Sequence, residues 1–161
     1  RNAGHGIEFH SPINKVKDSL VGFAFVDDTD LVEGNLTRTD LTFDDVHKHM
    51  QEAIRRWEGG LKGTGGAIRP DKSFVYPIDF KWDNKGKPLY KTPAEINKPL
   101  MVKDDKDNEH NLTQIPANID KETLGVFIAP DASNNEQIKE MHKKIDAWCK
   151  KINKNFIDMK T

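Results

Sequence analysis

Asp27 and Asp28 stand at the end of the apolar run Leu20-Val21-Gly22-Phe23-Ala24-Phe25-Val26 and just before a second apolar pair, Leu31-Val32. Such a run reads as a buried strand, and ionised carboxylates at its tip are costly unless a cation compensates them. A divalent metal is a suitable cation. In two-metal phosphoryl transfer, clustered carboxylates hold two ions about 4 Å apart, one activating the attacking oxygen and the other stabilising the leaving oxygen. The competing reading is a solvated hairpin turn, which aspartate favours for its own reasons. A calcium loop is excluded, because its regular spacing of acids and its central glycine are missing after Asp28. Successive strand residues face opposite ways, so the two acids converge only if the turn twists one of them back. Asp30 reads as a solvent-facing or turn-capping residue and not as a ligand.

The remaining reactive side chains form no second constellation. The six histidines are scattered; His47 and His49 cannot share a helix face, and no pair has a zinc spacing. Cys149 is the single cysteine, which excludes an internal disulfide framework and a multi-cysteine zinc site and fits a reducing, intracellular compartment, nuclear or cytoplasmic. Lys143, Lys144, Lys150 and Lys151, with Lys139 and Lys154, lie on one lysine-rich segment that either meets nucleic-acid phosphates or serves solubility.

The elements that carry these residues follow from periodicity. Residues 7 to 34 read as β-rich, with one long strand to Val26 returning through Leu31-Val32 as a hairpin whose turn holds the acids. Thr42 with Asp45 resembles a helix-capping pair, and Val46, Met50, Ile54, Trp57 and Leu61 continue at spacings of three and four as an apolar stripe. Gly63, Gly65 and Gly66 end that helix. Phe74, Tyr76, Ile78, Phe80 and Trp82 then alternate as a half-buried strand, placed at an edge by Pro77, with Lys72 on the same strand. Asn84-Lys85-Gly86 signals a hairpin turn into Leu89-Tyr90.

From about Lys91 to Asn118 the composition becomes polar, with the run Lys103-Asp104-Asp105-Lys106-Asp107-Asn108-Glu109, and reads as a solvated insertion with one small hairpin. Leu124 to Ile128 reads as a buried strand. Ser133 with Glu136 forms a capping box ahead of a second amphipathic helix, striped by Ile138, Met141, Ile145, Trp148 and Ile152. Trp57, Trp82 and Trp148 fall on apolar stripes and are expected in the core.

The chain has 161 residues, enough for one ordinary domain or a piece of a larger protein, and 32% of them are charged with a net charge of -1. Bulk charge therefore gives no sign of a nucleic-acid binder, and any such role must come from local basic patches. No segment has the roughly 18 to 20 apolar residues of a membrane span, so no membrane partner is expected. The start at Arg1 lacks an initiator Met and a signal-type stretch, as if cut from a longer polypeptide.

In this order the elements resemble the second half of a reverse transcriptase, of the sort encoded by retroelements. Gly22-Phe23-Ala24-Phe25-Val26-Asp27-Asp28-Thr29-Asp30-Leu31 is similar to the aromatic-x-Asp-Asp signature on the palm hairpin of that family. Trp57, Leu61, Gly65-Gly66 and Lys72 resemble the helix, glycine turn and lysine that follow it, and Thr123-Leu124-Gly125-Val126 resembles the leucine-glycine strand of the primer grip. The lysine-rich last helix takes the place of the thumb.

The resemblance implies an α+β fold: an antiparallel palm hairpin with a packed helix over 1–82, a small β insertion over 83–122, and the primer-grip strand with the start of a helical thumb over 123–161. It also implies RNA-directed DNA synthesis, in which Asp27 and Asp28 ligate two Mg2+ ions, for which Mn2+ can substitute. Lys72 would deliver a proton or positive charge to departing pyrophosphate. Leu124, Gly125 and Val126 would hold the primer end, with Gly125 letting backbone approach backbone. The partners implied are an RNA or DNA template with its primer, deoxynucleoside triphosphates and the rest of the parent polypeptide. The family's earlier catalytic aspartate and its nucleotide pocket have no counterpart upstream of Asp27, so this piece alone is expected not to polymerise. The alternative left open is a catalytically inactive remnant that binds nucleic acid or a protein through its basic helix.

Overall fold

The computed structural model describes residues 6–10, 13, 16–25, 28–34, 41–123 and 125–158. In chain order its elements are β1 (Ile7–His10), β2 (Lys17–Leu20), β3 (Gly22–Phe25), β4 (Asp28–Leu31), α1 (Phe43–Gly63), β5 (Phe74–Val75), β6 (Phe80–Trp82) and β7 (Pro88–Tyr90). There follow α2 (Pro93–Ile96), β8 (Met101–Lys103), β9 (Glu109–Asn111), β10 (Thr113–Gln114), β11 (Lys121–Thr123), β12 (Val126–Ile128) and α3 (Asn135–Asp158). Helices alternate with short strand pairs, an architecture of the α+β kind. Among the described residues strands pair only two at a time, antiparallel except for β5 with β10. No helix among them is long and apolar enough to cross a membrane. The chain divides into two compact units, residues 1–75 with 93–114 and residues 76–92 with 115–161.

In the first unit, α1 begins as its sequence requires. The Asp45 amide donates to Thr42 Oγ1 at 3.3 Å and the Thr42 amide donates to Asp45 Oδ2 at 2.8 Å, a reciprocal cap that satisfies helix N–H groups lacking an intrahelical partner. The apolar stripe points Ile54 into a cluster with Leu100, Val102 and Leu112, against which Leu31, Met50, Ile68 and Val75 also pack. Val102 is 1% exposed. The segment expected to be a solvated insertion thus supplies most of this core. Its polar residues crowd the β8–β9 loop, while Leu100, Val102 and Leu112 turn inward from the flanking strands.

Polar side chains of α1 fix that packing. Gln51 donates from Nε2 to the Met101 carbonyl and accepts the Met101 amide on Oε1, both at 2.8 Å, and Glu58 Oε1 accepts the Lys103 amide at 2.5 Å. The Met101 amide and carbonyl and the Lys103 amide, on the side of β8 away from β9, are thus paired with helix side chains. Arg55 bridges Glu58 at 3.1 Å and Glu109 at 2.7 Å, and Lys62 bridges Asp107 at 2.6 Å.

The second unit consists of the β6–β7 and β11–β12 hairpins and α3. Lys91 pairs with Asp79 at 2.6 Å, Tyr76 donates its hydroxyl to the Ile119 carbonyl at 2.8 Å, and the Phe127 amide donates to Gln137 Oε1 at 2.8 Å. The start of α3 departs from the expected Ser133 box. Asp120 accepts the Ser133 hydroxyl at 3.2 Å and the Glu136 amide at 3.1 Å, so a carboxylate from a distant loop caps the helix. The stripe of α3 exists, but Ile138, Met141, Ile145, Trp148 and Ile152 are all exposed. Trp82 and Trp148 are consequently not core residues, while Trp57 is half-buried.

Three strands differ from expectation for local reasons. The run from Leu20 to Val26 is not one strand, because β2 pairs back onto β1 (Ile7 opposite Leu20) while β3 pairs forward onto β4 (Gly22 opposite Leu31). The alternation from Phe74 to Trp82 is split into β5 and β6 around Pro77, which has no N–H to give a ladder. The strand expected up to Ile128 is described only as Val126–Ile128, and it is not buried: Thr123 pairs with Val126, and Val126 and Ile128 are exposed.

Candidate carboxylate hairpin

The β3–β4 hairpin has the antiparallel form expected from the sequence, closing at Phe25 opposite Asp28. Asp27 lies outside the described residues, as does Leu124. Asp28 is the first residue of β4 and is exposed. The hairpin holds its shape through Gly22: a Cβ there would lie 2.2 Å from the Asp30 carbonyl oxygen, so only glycine admits the close approach of β4. The Val32 amide continues the pairing with a 2.8 Å bond to the Val21 carbonyl. At its far end β4 is anchored by Leu31, which packs against the α1–β8 core.

Strand alternation puts Leu31 and Thr29 on one side and Asp28 and Asp30 on the other. Asp30 is half-buried, and its pKa is raised, first by desolvation and then by the Asp28 charge. The described pair of interacting acids is therefore Asp28 with Asp30, a residue set aside in the sequence reading. Its signal was present in the two-residue spacing from Asp28. Among the described residues no group of three or more His, Cys, Asp or Glu side chains is gathered for a metal ion. Carboxylate oxygens such as these are the donor type that a hard divalent cation takes, its remaining positions being filled by water or phosphate oxygens.

The other expected site residues are spread over both units. Lys72 is exposed, in a turn where its amide donates to the Arg69 carbonyl at 3.0 Å, and not on the strand with Phe74 and Tyr76. Arg69 itself is engaged by Asp71, at 3.0 and 2.9 Å. Gly125 has φ 79°, a left-handed conformation in the β11–β12 turn, and nothing lies within 4 Å of where a Cβ would stand. Val126 is exposed beside it. Lys143 pairs with Glu140, which raises the lysine pKa, whereas Lys144, Lys150 and Lys151 are exposed on α3.

An open depression in the first unit, walled by Ile68, Arg69, Asp71, Asp104, Asp105 and His110, includes neither Asp28 nor Lys72. Asp104 there is committed to structure: it accepts from His110 at 2.9 Å, from the Asn108 side chain at 3.0 Å and from the Lys106 and Asn108 amides at 2.9 and 2.8 Å. No protein-family model matches this chain, and no curated protein and no solved structure matches it.

Proposed function

We propose that this chain is a fragment of an RNA-directed DNA polymerase of the reverse transcriptase type, with the β3–β4 hairpin as part of its palm. The reading rests on one observation: an apolar strand paired antiparallel with an acidic one, closing at Phe25 opposite Asp28 next to Asp27. Asp27 and Asp28 are the proposed Mg2+ ligands, joined by an aspartate outside this chain, and Asp30 adds negative potential on the Asp28 face. Bound there, Mg2+ would supply Lewis-acid activation of the attacking oxygen and charge compensation for the leaving one. In the proposed reaction a primer 3′ hydroxyl attacks the α-phosphate of a deoxynucleotide and pyrophosphate departs. Lys72, exposed in its turn, is the proposed proton donor to that leaving group.

Primer extension by the intact parent polypeptide tests this. Asp27→Asn or Asp28→Asn should lower synthesis by about a thousandfold or more while leaving primed-template binding within about threefold. Unchanged synthesis in both variants overturns the assignment.

A further inference from the structure

The β6–β7 hairpin shows its aromatic residues to solvent. Phe80 pairs with Tyr90 and Trp82 with Pro88, so these four side chains share one face of the ribbon, while Lys81 and Leu89 take the other. The Phe80 and Tyr90 rings lie 4.9 Å apart, tilted by 38°. Trp82 is 70% exposed, and Phe80 and Tyr90 are exposed as well. Aromatic residues so placed leave a large apolar face uncovered, which marks a binding surface more often than a stable solvent boundary.

Charge around this face decides its occupant. The hairpin holds two acids, and both are used internally. Asp79 takes the Lys91 ammonium at 2.6 Å and the Phe80 amide at 2.8 Å, and Asp83 Oδ1 accepts the Lys85 and Lys87 amides, each at 2.8 Å. The exposed ammonium groups of Lys85 and Lys87 at the tip have no described carboxylate partner. A surface of flat rings beside unneutralised cations matches a chain of unpaired bases on a phosphate backbone, since every base offers a π-face and every nucleotide an anion. A duplex keeps its bases stacked on each other and offers the rings nothing.

We propose that the Phe80, Trp82 and Tyr90 face of the β6–β7 hairpin binds single-stranded nucleic acid, with bases stacked on the rings and phosphates against Lys85 and Lys87. The site stands on the hairpin alone and does not depend on the carboxylates of β3–β4. Stacking is indifferent to the sugar, so RNA and DNA strands of one sequence bind alike.

The test is fluorescence anisotropy of the full chain with a labelled single-stranded RNA of about twelve nucleotides, the DNA strand of the same sequence, and the corresponding duplex. Both single strands should bind at least about tenfold more tightly than the duplex. Trp82→Ala should weaken single-strand binding by about 5- to 100-fold, and Trp82→Phe should restore it to within about threefold. Lys85→Glu with Lys87→Glu should weaken binding and flatten its salt dependence by more than one unit of slope. Because Trp82 is exposed, its replacement leaves the fold intact, which circular dichroism checks. Equal affinity for duplex and single strand, or no loss with Trp82→Ala, overturns the proposal. So does an absence of strand binding together with a Trp82-dependent dimer, which would make the face a protein interface. A failed primer-extension test in the parent leaves this binding assay unaffected, so the two readings fail separately.

Discussion

In the unit that holds α1, Ile54, Leu100, Val102 and Leu112 close on one another, whereas in the unit that holds α3, Ile138, Met141, Ile145 and Trp148 all face solvent. Both helices carry apolar residues at spacings of three and four. The difference lies in what meets them. Against α1 comes β8, whose backbone is bound by Gln51 and Glu58 in the same register that buries Val102, so polar and apolar contacts reinforce each other. For α3 the described tethers fall at Glu136 and Gln137, in its first turn, and the later turns have no described partner outside the helix. Amphipathic spacing therefore identifies a helix and the side that wants cover; it does not supply the cover.

Core truncation should break the symmetry of the two helices most strongly. Leu100→Ala, at 4% exposure, removes methylenes from a packed cluster and should cost about 2–5 kcal/mol, while Trp148→Ala should change stability by no more than about 0.5 kcal/mol. Urea unfolding of the two variants measures both. A loss of several kcal/mol for Trp148→Ala would mean that the α3 stripe is covered in solution, and the contrast between the units would fail.

A smaller effect separates two glycines of the first unit. Gly22→Ala would drive a methyl to 2.2 Å from the Asp30 carbonyl oxygen, and backbone cannot yield as a flexible side chain does. The cost should be about 1–3 kcal/mol, with amide exchange speeding up across β3–β4. Gly60→Ala, inside α1 with nothing within 4 Å, should instead add about 0.5–1 kcal/mol of stability. If Gly22→Ala left exchange unchanged, the hairpin would not owe its closeness to that glycine.

Two hairpin tips, one in each unit, explain how far the sequence could be read. In β6–β7 the Asp83 amide bonds the Lys87 carbonyl, the Gly86 amide bonds the Asp83 carbonyl, and Gly86 has φ 76°. In β8–β9 the Asp104 amide bonds the Asn108 carbonyl, the Asp107 amide bonds the Asp104 carbonyl, and Asp107 has φ 63°. The loops are the same, a turn followed by one left-handed residue. The first was legible because glycine announces that conformation. The second was legible only as a small hairpin with no place given for its turn, because Asp107 adopts that conformation while pairing with Lys62, a contact across 45 positions.

The same limit applies elsewhere. Local signals sufficed for the α1 cap and for the pairing of β3 with β4, since their partners lie within a few residues. They failed for the Asp120 cap and for the burial of Leu100 and Leu112, which depend on residues brought together only by folding. At the carboxylate hairpin, an antiparallel return was readable but its turn was not: the acids were expected in the turn, whereas Asp28 and Asp30 lie on β4, with Phe25 opposite Asp28.

The finest test of the two tips is their response to acid. Asp104 has a pKa held well below the ordinary carboxylate range, first by the His110 side chain, then by the Asn108 side chain and the Asn108 and Lys106 amides. Leu89 occupies the place in the other tip that His110 takes here, six residues after the aspartate, so this contact belongs to β8–β9 alone. A carboxyl with a depressed folded-state pKa binds fewer protons folded than unfolded, so its contribution is present above an unfolded pKa of about 3.9 and is lost as pH falls through the folded value. Asp104→Asn keeps an acceptor oxygen but has no charge to lose. The stability advantage of the native chain over this variant should therefore be present at about pH 5 and shrink steadily below about pH 4, as followed by urea midpoints at each pH. An advantage that stayed constant down to about pH 3 would show that the hydrogen bonds of the tip, and not the charge on Asp104, keep it closed.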